Sequence, residues 1–145
     1  MRALQTVFAL SLLMFGVEAC GPGVYTPETT SLALKADPSG VAGRFKITVR
    51  EVVWQNDRLF LISDENHRDP RTIVVMIDGD TARDVLRGKS QTAEQYFLGH
   101  DIQATGLAKR VRIFLKDRDG NLTRSSYEQT RVVIGDATDL DVLSR

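Results

Sequence analysis

From Thr72 to Gly88 the chain reads TIVVMIDGDTARDVLRG. The first seven residues are dense in β-branched and apolar side chains, which predicts a central strand over Thr72 to Asp78. The period then changes. Gly79-Asp80-Thr81 offers turn and cap chemistry, Thr81 with Asp84 approximates a capping box, and Ala82, Val85 and Leu86 share one helical face before Gly88 at the C-terminal cap. A strand leading straight into one short helix is expected. Thr92 to Leu98 (TAEQYFL) should add another turn or two, with Phe97 and Leu98 plugging the open end of whatever the strands enclose.

Upstream, Arg44 to Trp54 (RFKITVREVVW) alternates Phe45, Ile47, Val49 and Val53 with Lys46, Thr48, Arg50 and Val52, as a half-buried strand requires. Gln55-Asn56-Asp57 is a turn, and Arg58 to Ser63 (RLFLIS) returns antiparallel. Downstream, Asp101 to Lys116 (DIQATGLAKRVRIFLK) is a fourth strand in which Gly106 marks a bulge or bend. Asp117 to Asn121 carries an Asp-Gly turn signal, and Leu122 to Ile134 (LTRSSYEQTRVVI) comes back as a fifth strand. After a break at Gly135 to Asp139, Leu140, Val142 and Leu143 re-enter the core.

The order is strand, strand, strand, helix, strand, strand. It predicts an all-β fold with one short helix, a five-stranded antiparallel OB-fold-like barrel over residues 44–145. Phe45, Ile47, Val49, Leu59, Leu61, Val75, Ile77, Leu86 and Ile113 are its expected core. The stretch Leu59 to Ser63, Arg68-Asp69-Pro70, the run Ile73 to Ile77, Tyr96 to Gly106 (YFLGHDIQATG) and Val132 to Ala137 (VVIGDA) together resemble the frame of a group of small exported bacterial OB-fold proteins. His100 stands where that frame has Lys, and Ala137 where it has Pro. The resemblance implies a small barrel with a face of the kind that takes oligonucleotides or oligosaccharides.

The 145 residues allow one domain, and 42% apolar with 26% charged residues is globular composition. Lys plus Arg (19) balance Asp plus Glu (19), so no global field draws the chain to nucleic acid or anionic membrane. One cysteine excludes an intramolecular disulfide, a multi-Cys zinc site and a CxxC redox pair. Met1-Arg2, the apolar run Val7 to Val17 and the small residues at Ala19 and Cys20 are in the order of a secretory signal peptide over residues 1–19. The run is too short for a transmembrane helix in the mature protein. Cys20 sits where a bacterial lipobox would be lipidated. Glu18 departs from that pattern, and ordinary signal cleavage is the alternative. Residues 20–43, with three of the chain's four prolines, read as a flexible linker. Localisation is therefore expected to be exported, either periplasmic or held by a lipid anchor at Cys20 to the membrane facing the periplasm.

An oligomer-binding face needs cations and flat rings. Between Gly106 and Arg131, seven cations face three anions, a local excess of +4 in a neutral chain. Arg110, Arg112, Phe114, Lys116, Arg124, Tyr127 and, beside the first loop, Trp54 are the candidate ligand-binding residues. Alternation places Arg110, Arg112, Phe114 and Lys116 opposite Val111, Ile113 and Leu115, away from the core. The bland reading is a solvated hairpin whose charges keep its edges soluble. Asp117, Asp119, Asn121, Thr123, Ser125 and Glu128 match the ligand spacing of an EF-hand loop. Leu122 occupies the position that must be Gly, however, and a β-turn explains the segment. Asp64, Glu65, His67 and Asp69 could serve a metal or an acid/base pair, but read as a polar turn in which Asp69 pairs with Arg68 or Arg71. His100 has no evident partner.

With no G-x-S-x-G, P-loop, H-E-x-x-H or dinucleotide motif, no catalytic residue, metal or cofactor is assigned and the chain is read as no enzyme. The expected function is a non-catalytic exported binding module for an oligomeric or protein ligand of the cell envelope, with single-stranded nucleic acid the weaker partner. A structural or accessory envelope protein is the alternative, and an OB-fold hydrolase such as a nuclease a third.

Overall fold

The computed structural model describes residues 23–144. The expected signal peptide and Cys20 lie outside the described residues. In chain order the elements are β1 (Val24–Tyr25), α1 (Pro27–Ala36), β2 (Val41–Thr48), β3 (Glu51–Gln55), β4 (Arg58–Ile62), β5 (Ile73–Asp78), α2 (Gly79–Leu86), α3 (Ala93–Phe97), β6 (Asp101–Lys116), β7 (Leu122–Ile134) and β8 (Leu140–Ser144). These eight strands belong to one sheet in the order β1-β2-β6-β7-β5-β4-β3, with β8 on the start of β6.

The two distant strands of that path are consecutive in sequence. Only Val49 and Arg50 separate β2 from β3. The Val49 N–H donates to the His100 carbonyl at 2.9 Å, while the Arg50 N–H donates to the Ile62 carbonyl at 2.8 Å. The chain therefore crosses from β6 to β4 within two residues, and the sheet curls round to meet itself. This closure, with α2 and α3 between the third and fourth barrel strands, is consistent with the OB-fold resemblance.

Among the described residues eight strands replace the expected five. The expected first strand is broken at Val49–Arg50 because a single strand cannot pair with both β6 and β4 without a sharp bend. The sheet is also not wholly antiparallel. β5 runs parallel to β7, from Ile73 opposite Thr130 to Ile77 opposite Ile134, because the helices return the chain to the same end before β6 begins. The short β1 is parallel to β2.

The linker reading fails over residues 24–43, where β1, α1 and the first residues of β2 lie. Thr26 caps α1: its hydroxyl accepts from the Thr29 N–H at 3.3 Å, the Thr29 hydroxyl accepts from the Thr26 N–H at 2.8 Å, and Pro27 takes the first turn. Leu34 joins the core at 1% exposure, and the buried Thr30 hydroxyl donates to the Thr26 carbonyl at 2.7 Å. The proline that read as a linker residue is a helix starter. Among the described residues three α-helices and a 3₁₀ turn at Ala137–Asp139 thus stand where one short helix was expected.

The core occupies the concave side, with Phe45, Ile47, Val49, Leu59, Leu61, Val75 and Ile77 buried as expected. Leu86 and Ile113 are only half-buried, Leu86 at the end of α2 and Ile113 on the hairpin beyond the barrel. Phe97 is fully buried, but Leu98 is 41% exposed, so one residue does the plugging. The cap of α2 is Asp78 rather than Thr81: its carboxylate accepts from the Thr81 N–H at 3.0 Å, which starts the helix one turn earlier. Gly106 pairs in register with Gly43. The strand irregularity is displaced to the step between Phe114 and Lys116. What Gly106 supplies is close approach, since a Cβ there would lie 3.2 Å from the Val133 carbonyl oxygen.

Candidate binding surface

Because side chains alternate along a strand, the registers fix which residues share the convex face of the barrel. Val53 lies opposite Phe60, Phe60 opposite Met76, and Met76 opposite Val133. Leu107 continues the row on β6, one step beyond the Ala108–Val132 pair. This apolar row crosses five strands and faces solvent: Val133 is 55% and Leu107 43% exposed, with Phe60 and Met76 half-buried. The next row runs through Ile62, Val74, Arg131 and Lys109. Ile62 and Val74 are buried although they point outward, so the open part of the face is the Phe60–Met76–Val133 row and its cationic border.

Arg131 ties the two rows together. Its guanidinium carbon stands 5.8 Å from the Phe60 ring centroid, and its Nε donates to the Gln129 side chain at 2.8 Å. Burial pulls the guanidinium below the ordinary arginine range; Tyr127 opposes that shift and Arg58 adds to it. The group remains a cation at neutral pH. A flat cation on an aromatic ring, bordered by Lys109 and Arg58, offers stacking and charge neutralisation on one surface.

β6 and β7 continue past the barrel as a two-stranded arm. Val111 pairs with Gln129 and Ile113 with Tyr127 on the convex side, while Arg112 pairs with Glu128 and Phe114 with Ser126 on the other. The structure therefore splits the expected site. Arg110, Arg112 and Phe114 share one face, Tyr127 is on the opposite one with Arg131, and Arg124 is exposed in the stretch where four residues of β7 run against two of β6. Lys116 is exposed past the irregular step. The shared parity of Arg110, Arg112 and Phe114 is as expected, but its sense is not. Theirs is the parity of Ala104 and Ala108, which line the core; the same face becomes open only where the arm outruns the barrel. Phe114 is 48% exposed there. Arg110 is largely withdrawn: its Nη1 reaches Glu128 at 3.4 Å, and its Nε and Nη2 are buried with no hydrogen-bond partner among the described residues.

Trp54, opposite Leu59, has core-side parity and does not meet Phe60. Its 46% exposure arises at the end of β3. The loop beside it is a two-residue turn, Asn56 and Asp57, both with positive φ (52° and 54°). Arg83 of α2 donates to the Asp57 carboxylate at 2.8 Å and to Asp80 at 2.7 Å, fastening that turn to the helix. It therefore forms no clasp over the face. Phe60, Met76, Val133 and Arg131 were missed as site residues because apolar runs such as RLFLIS and TIVVMID do not reveal which parity faces out.

The loop between β4 and β5 does not gather its acids. His67 Nε2 meets Glu51 at 2.5 Å, Arg71 binds Asp69 through Nε at 3.1 Å and Nη2 at 2.8 Å, and Asp64 accepts from the Asn66 N–H at 2.8 Å. The Arg71 contacts hold the Asp69 carboxyl down at about 2. At the arm's tip Asp117 accepts from the amides of Asp119 and Asn121, both at 2.9 Å, with Gly120 at φ 84°. The EF-hand spelling is used by a hairpin turn. Among the described residues no three or more His, Cys, Asp or Glu side chains group as a metal site. An open depression of about 470 Å³ between the start of α1 and β2 is lined by mixed charges including Glu28, Lys46, Arg50 and Asp64.

No family model matches the chain, and no curated protein does. Among solved structures, the chain is similar to a putative aspartyl-tRNA synthetase from Leishmania major Friedlin, with a TM-score of 0.47 and 8% identity over 94% of this chain and 23% of that one. It is also similar to an aspartyl-tRNA synthetase from Entamoeba histolytica, with a TM-score of 0.45 and 13% identity over 99% of this chain and 28% of that one. The chain thus spans about a quarter of each neighbour's length.

Proposed function

We propose that the chain is a non-catalytic binding module that lays an extended anionic oligomer along the convex face of the barrel. The observation that carries this reading is the solvent-facing row Val53–Phe60–Met76–Val133 bordered by Arg131, Lys109 and Arg58. Apolar and aromatic side chains take rings of the ligand, Arg131 holds a planar cation at the Phe60 ring, and the bordering cations neutralise the ligand backbone. Tyr127 extends the surface onto the arm. The absence of a clasping loop at Asn56–Asp57 leaves the face open along its length, which suits a polymer better than a small molecule. Action outside the cytoplasm completes the proposal and rests on residues 1–20 as a sequence pattern. In that compartment the ligand is an acidic oligomer of the envelope, for which single-stranded DNA is a convenient probe.

The test is fluorescence anisotropy with a labelled single-stranded oligonucleotide and, separately, an acidic oligosaccharide, each titrated at several salt concentrations. Phe60→Ala should weaken binding by about 1–3 kcal/mol if a ring stacks there. Arg131→Ala should also reduce the salt slope for the oligonucleotide by about 0.7, one phosphate contact. Asp139→Ala should change neither. Absence of binding to both probes at low salt would overturn the reading.

A further inference from the structure

The β6 edge of the arm is bare. β2 accompanies β6 only as far as the Val41–Ala108 pair, and upstream of Val41 the chain turns at Asp37–Gly40 into α1. From Arg110 to Lys116, β6 has β7 on one side and, among the described residues, no strand on the other. Its backbone groups on that side are a template for one more strand. The β7 edge is a poor template. Between Ser126 and Leu122 it carries three residues against the single Leu115 of β6, which breaks the regular ladder. β6 itself stays regular there: exposed Arg112, Phe114 and Lys116 alternate with half-buried Ile113 and Leu115.

The chemistry of this edge selects its occupant. Arg110 is engaged by Glu128, but Arg112 and Lys116 make no ion pair among the described residues. They sit on one face, about 14 Å apart at ~3.4 Å per residue. The Phe114 ring, 48% exposed, lies between them. From Lys109 to Lys116 the strand carries four cations and no anion. Such an edge disfavours a cationic segment or a second copy of itself, because like charges would stand directly opposite. An acidic strand meets the opposite condition. A polynucleotide would neutralise the cations, but it lacks the alternating N–H and C=O groups that a strand edge pairs with.

We propose that the β6 edge takes an extended acidic segment of another protein as an added antiparallel strand. The segment reads acidic, apolar, apolar, apolar, acidic opposite Arg112 to Lys116. Its two carboxylates meet Arg112 and Lys116, and its central side chain packs on Phe114. The two residues between point to the other face, beside Ile113 and Leu115. Main-chain hydrogen bonds supply affinity, and the alternation of charge and apolar surface supplies selectivity. The strand joins at the arm's edge, away from Phe60, Met76 and Val133, so this site does not depend on the oligomer-binding face.

The test titrates the purified chain into a labelled peptide, Thr-Glu-Val-Leu-Val-Glu-Thr, read by fluorescence anisotropy. Saturable binding that weakens with salt is expected. Arg112→Glu and Lys116→Glu should each weaken it about tenfold by setting like charges opposite each other. The peptide with Lys in place of both Glu should bind the double variant and not the parent, which also shows that the variant is folded. Strand addition has its own signature in the parent chain. N-methylating alternate peptide amides should abolish binding in one phase and preserve it in the other, because only one set of amides faces β6. The proposal is overturned by no binding up to about 1 mM, by equal binding of the Lys peptide to the parent, or by equal tolerance of both methylation phases. It is also overturned if single-stranded DNA, and not the peptide, shifts the amide resonances of Arg112 to Lys116.

Discussion

Replacing Leu34 by Ala asks whether α1 belongs to the folded unit. Leu34 is 1% exposed and lies in the core cluster with Phe45 and Ala108. Losing three buried carbons forfeits about 2.5 kcal/mol of transfer free energy at ~0.8 kcal/mol per methylene. The void that neighbouring side chains cannot fill raises the cost to about 3–4 kcal/mol, within the range for buried leucines. Leu32, two residues earlier on the same helix, is 63% exposed, and its replacement by Ala should stay within about 0.5 kcal/mol. Urea unfolding read by circular dichroism is the assay. The midpoint for Leu34→Ala should fall with the slope unchanged, and that for Leu32→Ala should hold. Equal, small effects at both positions would refute the packing of α1 and restore a tether before residue 44.

Thr26→Ala removes the cap that starts α1 and should cost about 1 kcal/mol in the same urea assay, with Thr26→Ser retaining most of it. Asp69, held at about 2 by Arg71, stabilises the fold in full above its unfolded value near 3.9 and loses that contribution as pH falls toward 2. Asp69→Asn should therefore flatten the fall in stability between about pH 4 and 2, measured as thermal midpoints. Val133→Asp, on the exposed apolar row, should lower the unfolding free energy by no more than about 1 kcal/mol while weakening oligonucleotide binding in the anisotropy assay.

Most of the barrel was legible because its strands obey simple alternation and strong turns separate them. β6 and β7 coincide with the runs DIQATGLAKRVRIFLK and LTRSSYEQTRVVI, since Asp119-Gly120 leaves no doubt about where the hairpin reverses. The break at Val49–Arg50 was hidden because both halves of the bent strand carry the same period. α1 was hidden for another reason: PETTSLALKA has no long apolar stripe, and Thr26-Pro27 reads equally as a linker or as a helix start until Leu34 is seen in the core. The site was less legible than the fold. Composition drew attention to the charged arm, whereas the open apolar row depends on cross-strand neighbours such as Phe60, Met76 and Val133 that are distant in sequence.

The most direct measurement is a map of amide chemical-shift changes in the isotope-labelled chain as a single-stranded oligonucleotide is added. The largest changes should fall on Phe60, Met76, Arg131 and Val133, extending to Tyr127, with Trp54 and α3 unmoved. Changes centred on Trp54 or on the Arg112–Phe114 face of the arm, or none at low salt, would contradict the convex face as the binding surface.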